Sequence, residues 1–199
     1  MPNKKNKVKF NICNVHYAPI TAAEDGTVTF AVPVAMPGAV SISMDPTGEP
    51  ESFYADGVEY YVINNNQGYD GDLELAMIPE SFRTDILKEE ADANQVLVEN
   101  ANSETGSFAL LFEFDGDIRK IRHVLYNCSA SRPSIESKTN EEDKEVQTET
   151  LTVKARPLAN GYVKAKTGDA TTEVVYNNWY KSVYEPNAEV QTASGETGE

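Results

Sequence analysis

The sequence lacks most of the residue types and runs on which secretion and membrane insertion depend. Its 199 residues include only two cysteines, too few for a disulfide framework, so we expect Cys13 and Cys128 to be free thiols in a reducing compartment. No stretch approaches the roughly 18 consecutive apolar residues of a membrane-spanning helix. Residues 1–10 are basic and lack the apolar core of a secretory signal. These absences predict cytoplasmic synthesis and no membrane anchor.

Motifs for phosphate binding and covalent catalysis are also missing. The sequence contains no G-x-x-x-x-G-K-[ST], no G-x-G-x-x-G and no G-x-S-x-G. Two pairs, Cys13 with His16 and His123 with Cys128, have the ligand types that zinc prefers. Residues three or five apart on a regular strand point to opposite faces, however, so neither pair can chelate a metal without a bulge. We expect no metal site, no cofactor and no catalytic residue.

Positive charge is scarce and unevenly distributed. Lysine and arginine number 17 against 32 acidic residues, a formal net charge of -15. Nucleic-acid binding depends on basic side chains that release counterions from phosphate, so it is excluded as the main task. Residues 49–104 hold fourteen carboxylates and two bases, whereas residues 4–9 hold four bases. This asymmetry is suited to head-to-tail attraction between copies of the chain.

The remaining composition is that of a folded domain. The apolar fraction is 40% and the charged fraction 25%, which are ordinary values for globular proteins. A chain of this length favours one domain. We predict that it covers residues 1–186 and is followed by a flexible polar tail, 187–199.

Strand-like segments dominate the chain, separated by Gly, Pro, Asn and Asp at intervals of about 8 to 12 residues. The pairs Asp56-Gly57 and Asp115-Gly116 have the chemistry of tight hairpin turns. The sequence therefore predicts a mainly β fold, an antiparallel sandwich or barrel. The predicted strands are 8–17, 27–32, 39–44, 51–63, 71–78, 96–100, 108–114, 118–130, 149–155 and 161–167.

One flanking α-helix is predicted after residue 78. Ile78, Phe82 and Ile86 recur at four-residue spacing with Leu87 beside them, so Phe82, Ile86 and Leu87 are expected to face the core. Pro79 suits the first helical turn. A weaker segment, residues 177–184, places apolar side chains on one side and is compatible with either a helix or a strand.

Acidic and apolar side chains alternate along residues 69–78. Asp70, Asp72 and Glu74 fall on one face, and the other face carries Tyr69, Leu73, Leu75 and Met77. Neighbouring acids on such a face lie about 6.6 Å apart, within the range of two-carboxylate glycosidase chemistry. Because no sugar-binding cleft is evident, a face that stays in water is the favoured interpretation.

Several blocks, in order, resemble the major tail protein, or tail tube protein, of siphophages that infect Gram-positive bacteria. They are "NVHYAPIT" (14–21), "AMPGAVSISMDPTG" (35–48), "FYADGVEYYV" (53–62), "NQGYDGDLELAMIPESFRTDIL" (66–87), "FALLFEF" (108–114), "RHVLYNCSASRPS" (122–134) and "QTETLTVKARP" (147–157). The resemblance spans about residues 7 to 186.

The resemblance implies a β-sandwich or barrel with a flanking helix, whose subunits form hexameric rings that stack into a hollow, non-contractile tail tube. It further implies location in the virion, passage of double-stranded DNA, and contacts with tape measure and terminator proteins. We hypothesise that Asp70, Asp72 and Glu74 line the lumen of such a tube, where they would repel DNA phosphates.

Contacts between rings are expected from polar segments. Residues 134–146 form a long loop of mixed charge that can become ordered on a neighbour. The predicted inter-ring residues are Lys4, Lys5, Glu141, Glu142 and Asp143. The alternatives left open are a tube subunit of a secretion-like assembly, a connector, a carboxylate-based glycoside hydrolase and a monomeric ligand-binding sandwich.

Overall fold

The computed structural model describes residues 5–23, 27–139 and 145–186. The predicted tail 187–199 and the inter-ring residues Lys4, Glu141, Glu142 and Asp143 lie outside them. The described strands and helices are, in order, β1 (Lys9–Ala22), β2 (Val28–Phe30), β3 (Val34–Ala35), β4 (Ala39–Thr47), β5 (Glu51–Ala55), β6 (Val58–Ile63), β7 (Gly68–Leu75), α1 (Glu80–Asp85), β8 (Glu90–Ala91), β9 (Leu97–Val98), β10 (Phe108–Gly116), β11 (Ile121–Ala130), β12 (Glu149–Arg156), β13 (Lys164–Lys166) and α2 (Glu173–Asn178).

Nine of these strands form one antiparallel sheet, which confirms the predicted mainly β fold. Its order is β2-β1-β10-β11-β12-β7-β4, with β3 also pairing with β1 and β13 also pairing with β11. Cα atoms of β1 and β4 approach within 8 Å although no ladder joins the two strands in the described residues. The sheet therefore curls into an open barrel.

The main core fills the inside of this barrel. Alternate residues of β10, β7 and β12 point inward, because successive side chains on a strand face opposite sides. The buried side chains from these strands are Phe108, Leu110, Phe112, Leu73, Leu75, Leu151, Val153 and Ala155. The outward residues of β7 and β12 are polar and exposed or half-buried. One face of these two strands is therefore buried in the core and the other is accessible to solvent.

Helix α1 closes one end of the barrel. Phe82 is fully buried and packs edge-on against Tyr17 and Phe108, with ring centroids 5.1 and 5.2 Å apart. Ile86 and Leu87 are 0% and 1% exposed. The helix is shorter than its apolar spacing suggests, since it ends at Asp85 and Ile86 and Leu87 enter the core from the turn that follows.

A carboxylate from a distant strand fixes the residues at the start of the helix. Pro79 precedes α1 and provides no side-chain hydrogen bond. Glu149, at the start of β12, accepts a 2.5 Å bond from the backbone N–H of Ile78 through Oε2. Its Oε1 lies 2.7 Å from Nη2 of Arg83. The helix is thus held to β12 by a charge-assisted contact that local sequence does not reveal.

A second, smaller core lies on the outer face of β1, β10 and β11. The C-terminal segment 173–184 crosses this face, and its Trp179 and Val183 are 2% and 6% exposed. The segment begins with α2, which ends at Asn178. The predicted single flanking helix is therefore joined by another, and the 177–184 prediction is wrong in its limits because the helix stops before Trp179.

Two local predictions are wrong. Met77 is 72% exposed, because β7 ends at Leu75 and the alternation does not continue. Asp115-Gly116 is not a turn: β10 continues through Gly116 opposite Lys9, and the hairpin loop follows it. A hairpin turn does occur at Asp56-Gly57, whose φ values are 53° and 80°.

The hairpin with the Asp56-Gly57 turn, β5–β6, forms a two-stranded sheet of its own. Most of its large apolar side chains are exposed: Phe53, Tyr54, Val58, Tyr60, Tyr61, Val62 and Ile63 range from 38% to 71%. An apolar surface of this kind is unusual for a protein that stays monomeric.

Candidate functional site

The outward face of β4, β7 and β12 is a wet surface of ordered polar rows, which we call the acidic sheet face. Its three rows, read across the strands, are Ser41–Glu74–Thr150, Ser43–Asp72–Thr152 and Asp45–Asp70–Lys154. The predicted alternation of β7 thus places Asp70, Asp72 and Glu74 together on the side opposite the core. Sequence reasoning did not find the hydroxyl side chains on both flanking strands.

Hydroxyl groups hold two of the three acids in place. Ser41 and Thr148 donate 2.8 and 2.7 Å hydrogen bonds to the two carboxylate oxygens of Glu74. Thr152 donates a 2.8 Å bond to Oδ1 of Asp72. The bonds from Thr148 and Ser41 lower the pKa of Glu74 below its ordinary value. The Glu74 carboxylate is therefore held ionised, and hydrogen bonds fix the positions of both Glu74 and Asp72.

Asp70 differs because a base contacts it. Nη1 of Arg156, the last residue of β12, donates to Oδ1 of Asp70. This hydrogen bond, with smaller contributions from the charges of Arg156 and Lys154, lowers the pKa of Asp70. Asp45 lies across from Asp70 on β4. The face carries a net negative charge that is weakest at its Arg156 end.

A glycine in β7 allows this strand to lie close to β4. Gly71 lies between Met44 and Val153 in the two ladders. A Cβ atom at Gly71 would overlap the carbonyl oxygen of Ser43. This close approach is the reason for the glycine within an otherwise regular strand, and the "YDGD" spacing is the sequence signal that could have indicated it.

One edge of the acidic sheet face is open. No ladder in the described residues pairs the second edge of β4, a nine-residue strand, with another strand. Pro46 lies within β4, consistent with the confinement of proline to edge strands. An unpaired edge of this length offers backbone donors and acceptors to another chain.

A buried ion cluster lies on the outer face of the sheet, and sequence reasoning missed it. Glu113 is 2% exposed, and its carboxylate oxygens lie 2.8 Å from Nζ of Lys120 and 3.0 Å from Nε of Arg122. Tyr180, in the C-terminal segment, donates a 3.2 Å hydrogen bond to the same carboxylate. The available signal was a lone acid in the apolar run "FALLFEF".

The side chains of the two Cys–His pairs do not follow the alternation of a regular strand. The register of β1 shifts between Cys13 and His16. Sγ of Cys13 lies 3.6 Å from Oε1 of Glu113, and the His16 ring is tilted against the Tyr180 ring with centroids 4.6 Å apart. His123 stacks on Phe112 instead. Among the described residues, no group of three His, Cys, Asp or Glu side chains has the arrangement of a metal site.

Lys5, the described member of the predicted inter-ring residues, is exposed. Its neighbour Asn6 is hydrogen-bonded to Arg119 in the β10–β11 loop, so Lys5 lies beside that loop. The described parts of that loop, 134–139 and 145–146, contain no strand or helix. Across the described ranges, no helix has both the length and the apolar character needed to cross a membrane.

Comparison with known proteins identifies the family of this chain. No curated protein matches the sequence. A family model described as phage tail tube protein matches residues 4–193, nearly the whole chain and every described element. The matched range includes the acidic sheet face, the open edge and the exposed hairpin. The chain therefore belongs to the phage tail tube protein family, and it is a structural component of the virion.

Proposed function

We propose that this chain assembles into hexameric rings that stack as the non-contractile tail tube of a siphophage, with the acidic sheet face turned toward the lumen. The observation that supports the orientation is the division of one sheet: the inner residues of β7 and β12 form the core, and the outer residues form ordered acidic and hydroxyl rows. A wall that contacts moving DNA needs such a fixed hydrophilic surface.

The chemistry of the acidic sheet face suits the passage of DNA and does not suit its retention. Carboxylates repel the phosphates of double-stranded DNA, whereas retention requires Lys and Arg that displace counterions. Hydrogen bonds from Thr148 and Thr152 hold the carboxylates of Glu74 and Asp72 in place on this face. The two bases of the face, Lys154 and Arg156, lie together at one end of it, where Arg156 forms an ion pair with Asp70. The role is structural and involves no catalytic step.

Lateral assembly has two natural contacts. The open edge of β4 can pair with a strand of a neighbouring subunit, which removes the unpaired backbone groups of that edge. The β5–β6 hairpin, with its exposed aromatic side chains such as Tyr60 and Tyr61, can bury its apolar surface on the same neighbour. Lys5 and loop 134–146 remain proposed contacts between rings, and tape measure and terminator proteins remain proposed partners at the tube ends.

Negative-stain electron microscopy of the concentrated pure protein tests this function. We expect hollow tubes of constant width built from one polypeptide. Single rings that never stack would favour a connector, and a sample that remains monomeric at every concentration would contradict the proposal.

Reversal of the charge on the acidic sheet face is expected to impair DNA delivery without preventing assembly. The variant Asp70→Asn/Asp72→Asn/Glu74→Gln keeps the size and much of the hydrogen bonding of the three side chains, and Asp70→Lys/Asp72→Lys/Glu74→Lys reverses their charge. Tubes should form in both cases, while phage carrying the lysine variant should lose infectivity by at least about tenfold because DNA adheres to the wall. The measurements are plaque titre and DNA ejection rate.

A charge-conserving variant is the matched control for this experiment. Asp70→Glu/Asp72→Glu/Glu74→Asp perturbs the same positions but retains three carboxylates, so ejection should remain near the wild-type rate. Normal ejection by the lysine variant would place these acids on the outer wall of the tube.

A further inference from the structure

A pocket of about 280 Å³ lies beside the second core, on the outer face of β1, β10 and β11. Phe30 of β2 and Leu158 line the pocket and also pack against that core. The volume is close to the lower end of the roughly 300 to 1,000 Å³ of pockets that bind small molecules. The pocket belongs to a different group of strands from the acidic sheet face, which β4, β7 and β12 form.

Three aromatic side chains, Phe30, Tyr126 and Tyr162, line this pocket, which we call the aromatic pocket. The rings of Phe30 and Tyr126 have centroids 6.1 Å apart and planes 50° apart, so they form two diverging walls. Tyr126 is buried, and its hydroxyl donates a 2.9 Å hydrogen bond to the carbonyl of Tyr184. Tyr162 is 43% exposed, so the pocket has an aromatic side chain that a ligand can reach from solvent.

The turn between β12 and β13 holds Tyr162 in position. The backbone N–H of Leu158 donates a 2.9 Å hydrogen bond to the carbonyl of Tyr162. The side chain of Asn160 accepts a 3.0 Å bond from the N–H of Tyr162. Gly161 lies between them with a φ of 83°, a conformation that favours glycine. The backbone at Tyr162 is therefore fixed before any ligand arrives, which lowers the entropic cost of binding.

The charge of the aromatic pocket is negative. Among the described residues that line it, Glu185 is the one acid and none is a base. The pKa of Tyr126 is raised by burial and then by the charges of Tyr184, Glu185 and Tyr162, which places the Glu185 carboxylate close to the rings. Aromatic faces are also partly negative. The pocket therefore attracts a cation and repels phosphate or carboxylate ligands.

We propose that the aromatic pocket binds a quaternary ammonium group of the choline type. The rings and the apolar side chains of Val28 and Leu158 would contact its methyl groups, and Glu185 would balance its charge. A primary ammonium is strongly hydrated and loses those water contacts on entry, whereas a quaternary ammonium has no N–H to satisfy. This binding site is additional to the proposed tube and does not depend on assembly.

Comparison of choline with its neutral isostere tests the inference. In 3,3-dimethylbutanol a tert-butyl group replaces the trimethylammonium group, so the shape is kept and the charge is removed. Saturation-transfer NMR on the full chain, with the methyl signal of each probe, gives both affinities. We expect choline to bind at least about tenfold more tightly, because attraction of the cation to the rings and to Glu185 adds to the apolar contact.

Substitutions in the pocket separate cation binding from a structural effect. Tyr162→Leu removes an aromatic ring but keeps an apolar side chain, and Glu185→Gln removes the charge. Each should weaken choline binding by about threefold or more and leave the affinity for the isostere unchanged. Tyr162→Phe should bind choline like wild type. Tyr60→Leu, in the exposed β5–β6 hairpin, is the matched control and should change neither affinity. Thermal melts show whether each variant is folded.

Several results would overturn the inference. Absence of choline binding, or equal affinities for choline and the isostere, would show that the pocket does not recognise a cation. Tighter binding of n-butylammonium than of choline would assign the pocket to lysine side chains of a partner protein. Choline binding that survives both Tyr162→Leu and Glu185→Gln would place the ligand elsewhere on the chain. None of these results bears on tube formation, so the proposed function is tested separately.

Discussion

Replacement of Glu113 by alanine is expected to destabilise the folded subunit by about 3 to 5 kcal/mol, because removal of the buried acid takes away the carboxylate that pairs with Arg122 and leaves Lys120 with Asp115 at 3.3 Å. Glu113 is 2% exposed and holds Lys120, Arg122 and Tyr180. The loss should therefore release the C-terminal segment from the sheet as well as weaken β10 and β11. Urea unfolding of the subunit, at a concentration where sedimentation shows no assembly, measures the effect.

Glu173→Ala is the matched control. Glu173 pairs with Arg119 at 3.5 Å, but its side chain is 77% exposed, and exposed pairs contribute about 0 to 1 kcal/mol. A Glu113→Ala variant that unfolds at the same urea concentration as Glu173→Ala would show that the cluster does not hold the segment.

The same cluster makes stability depend on pH in one direction. Burial by itself would raise the pKa of Glu113, but the hydrogen bond from Lys120 and the charges of Lys120 and Arg122 outweigh it, so the pKa is lowered overall. A carboxylate with a depressed folded pKa stabilises the protein above its unfolded pKa, and this contribution disappears as the pH falls through the folded value. Acid should therefore loosen the C-terminal segment, and Glu113→Ala should lack that component.

Phe82→Ala is expected to destabilise the subunit by about 3 to 5 kcal/mol, the usual cost of truncating a fully buried aromatic side chain. Phe82 is 0% exposed and touches Tyr17 and Phe108 with its ring edges. Because α1 is only six residues long, the rest of the helix is too short to be stable without this anchor. Loss of the Phe82 contacts with Tyr17 and Phe108 should therefore open the end of the barrel that α1 closes.

Met77→Ala provides the comparison for Phe82→Ala at almost the same place in the chain. Met77 is 72% exposed, so its truncation should change subunit stability by less than about 0.5 kcal/mol. The free energy of unfolding from urea titrations distinguishes the two. Equal effects of the two substitutions would mean that α1 is not anchored in the core by Phe82.

The acidic sheet face shows how far period-two reasoning extends. Alternation alone placed Asp70, Asp72 and Glu74 on one side of β7 and Leu73 on the other, because the direction of each side chain on a strand is a local property. The same rule carried Met77 into the core, where it does not lie, since the end of a strand depends on the strands beside it. The partners Ser41 and Thr152 are distant in sequence and meet the acids only through register.

The Glu113 ion cluster is a second feature that period-two alternation could not predict. Cys13 and His16 were expected on opposite faces, and the register shift in β1 brings both to the Glu113 cluster. A bulge of this kind has no reliable local signal, because it depends on how two strands align over their whole length.

Sequence by itself determined that this chain is a mainly β domain, that its acids and apolar residues alternate along β7, and that Phe82, Ile86 and Leu87 form an apolar set, because strand and helix periodicity act over a few residues. Only the tertiary structure decided which strands neighbour one another, that β4 has an unpaired edge among the described residues, and that Glu113 is buried. Those features arise from contacts between residues far apart in the chain, whose energies local propensity does not contain.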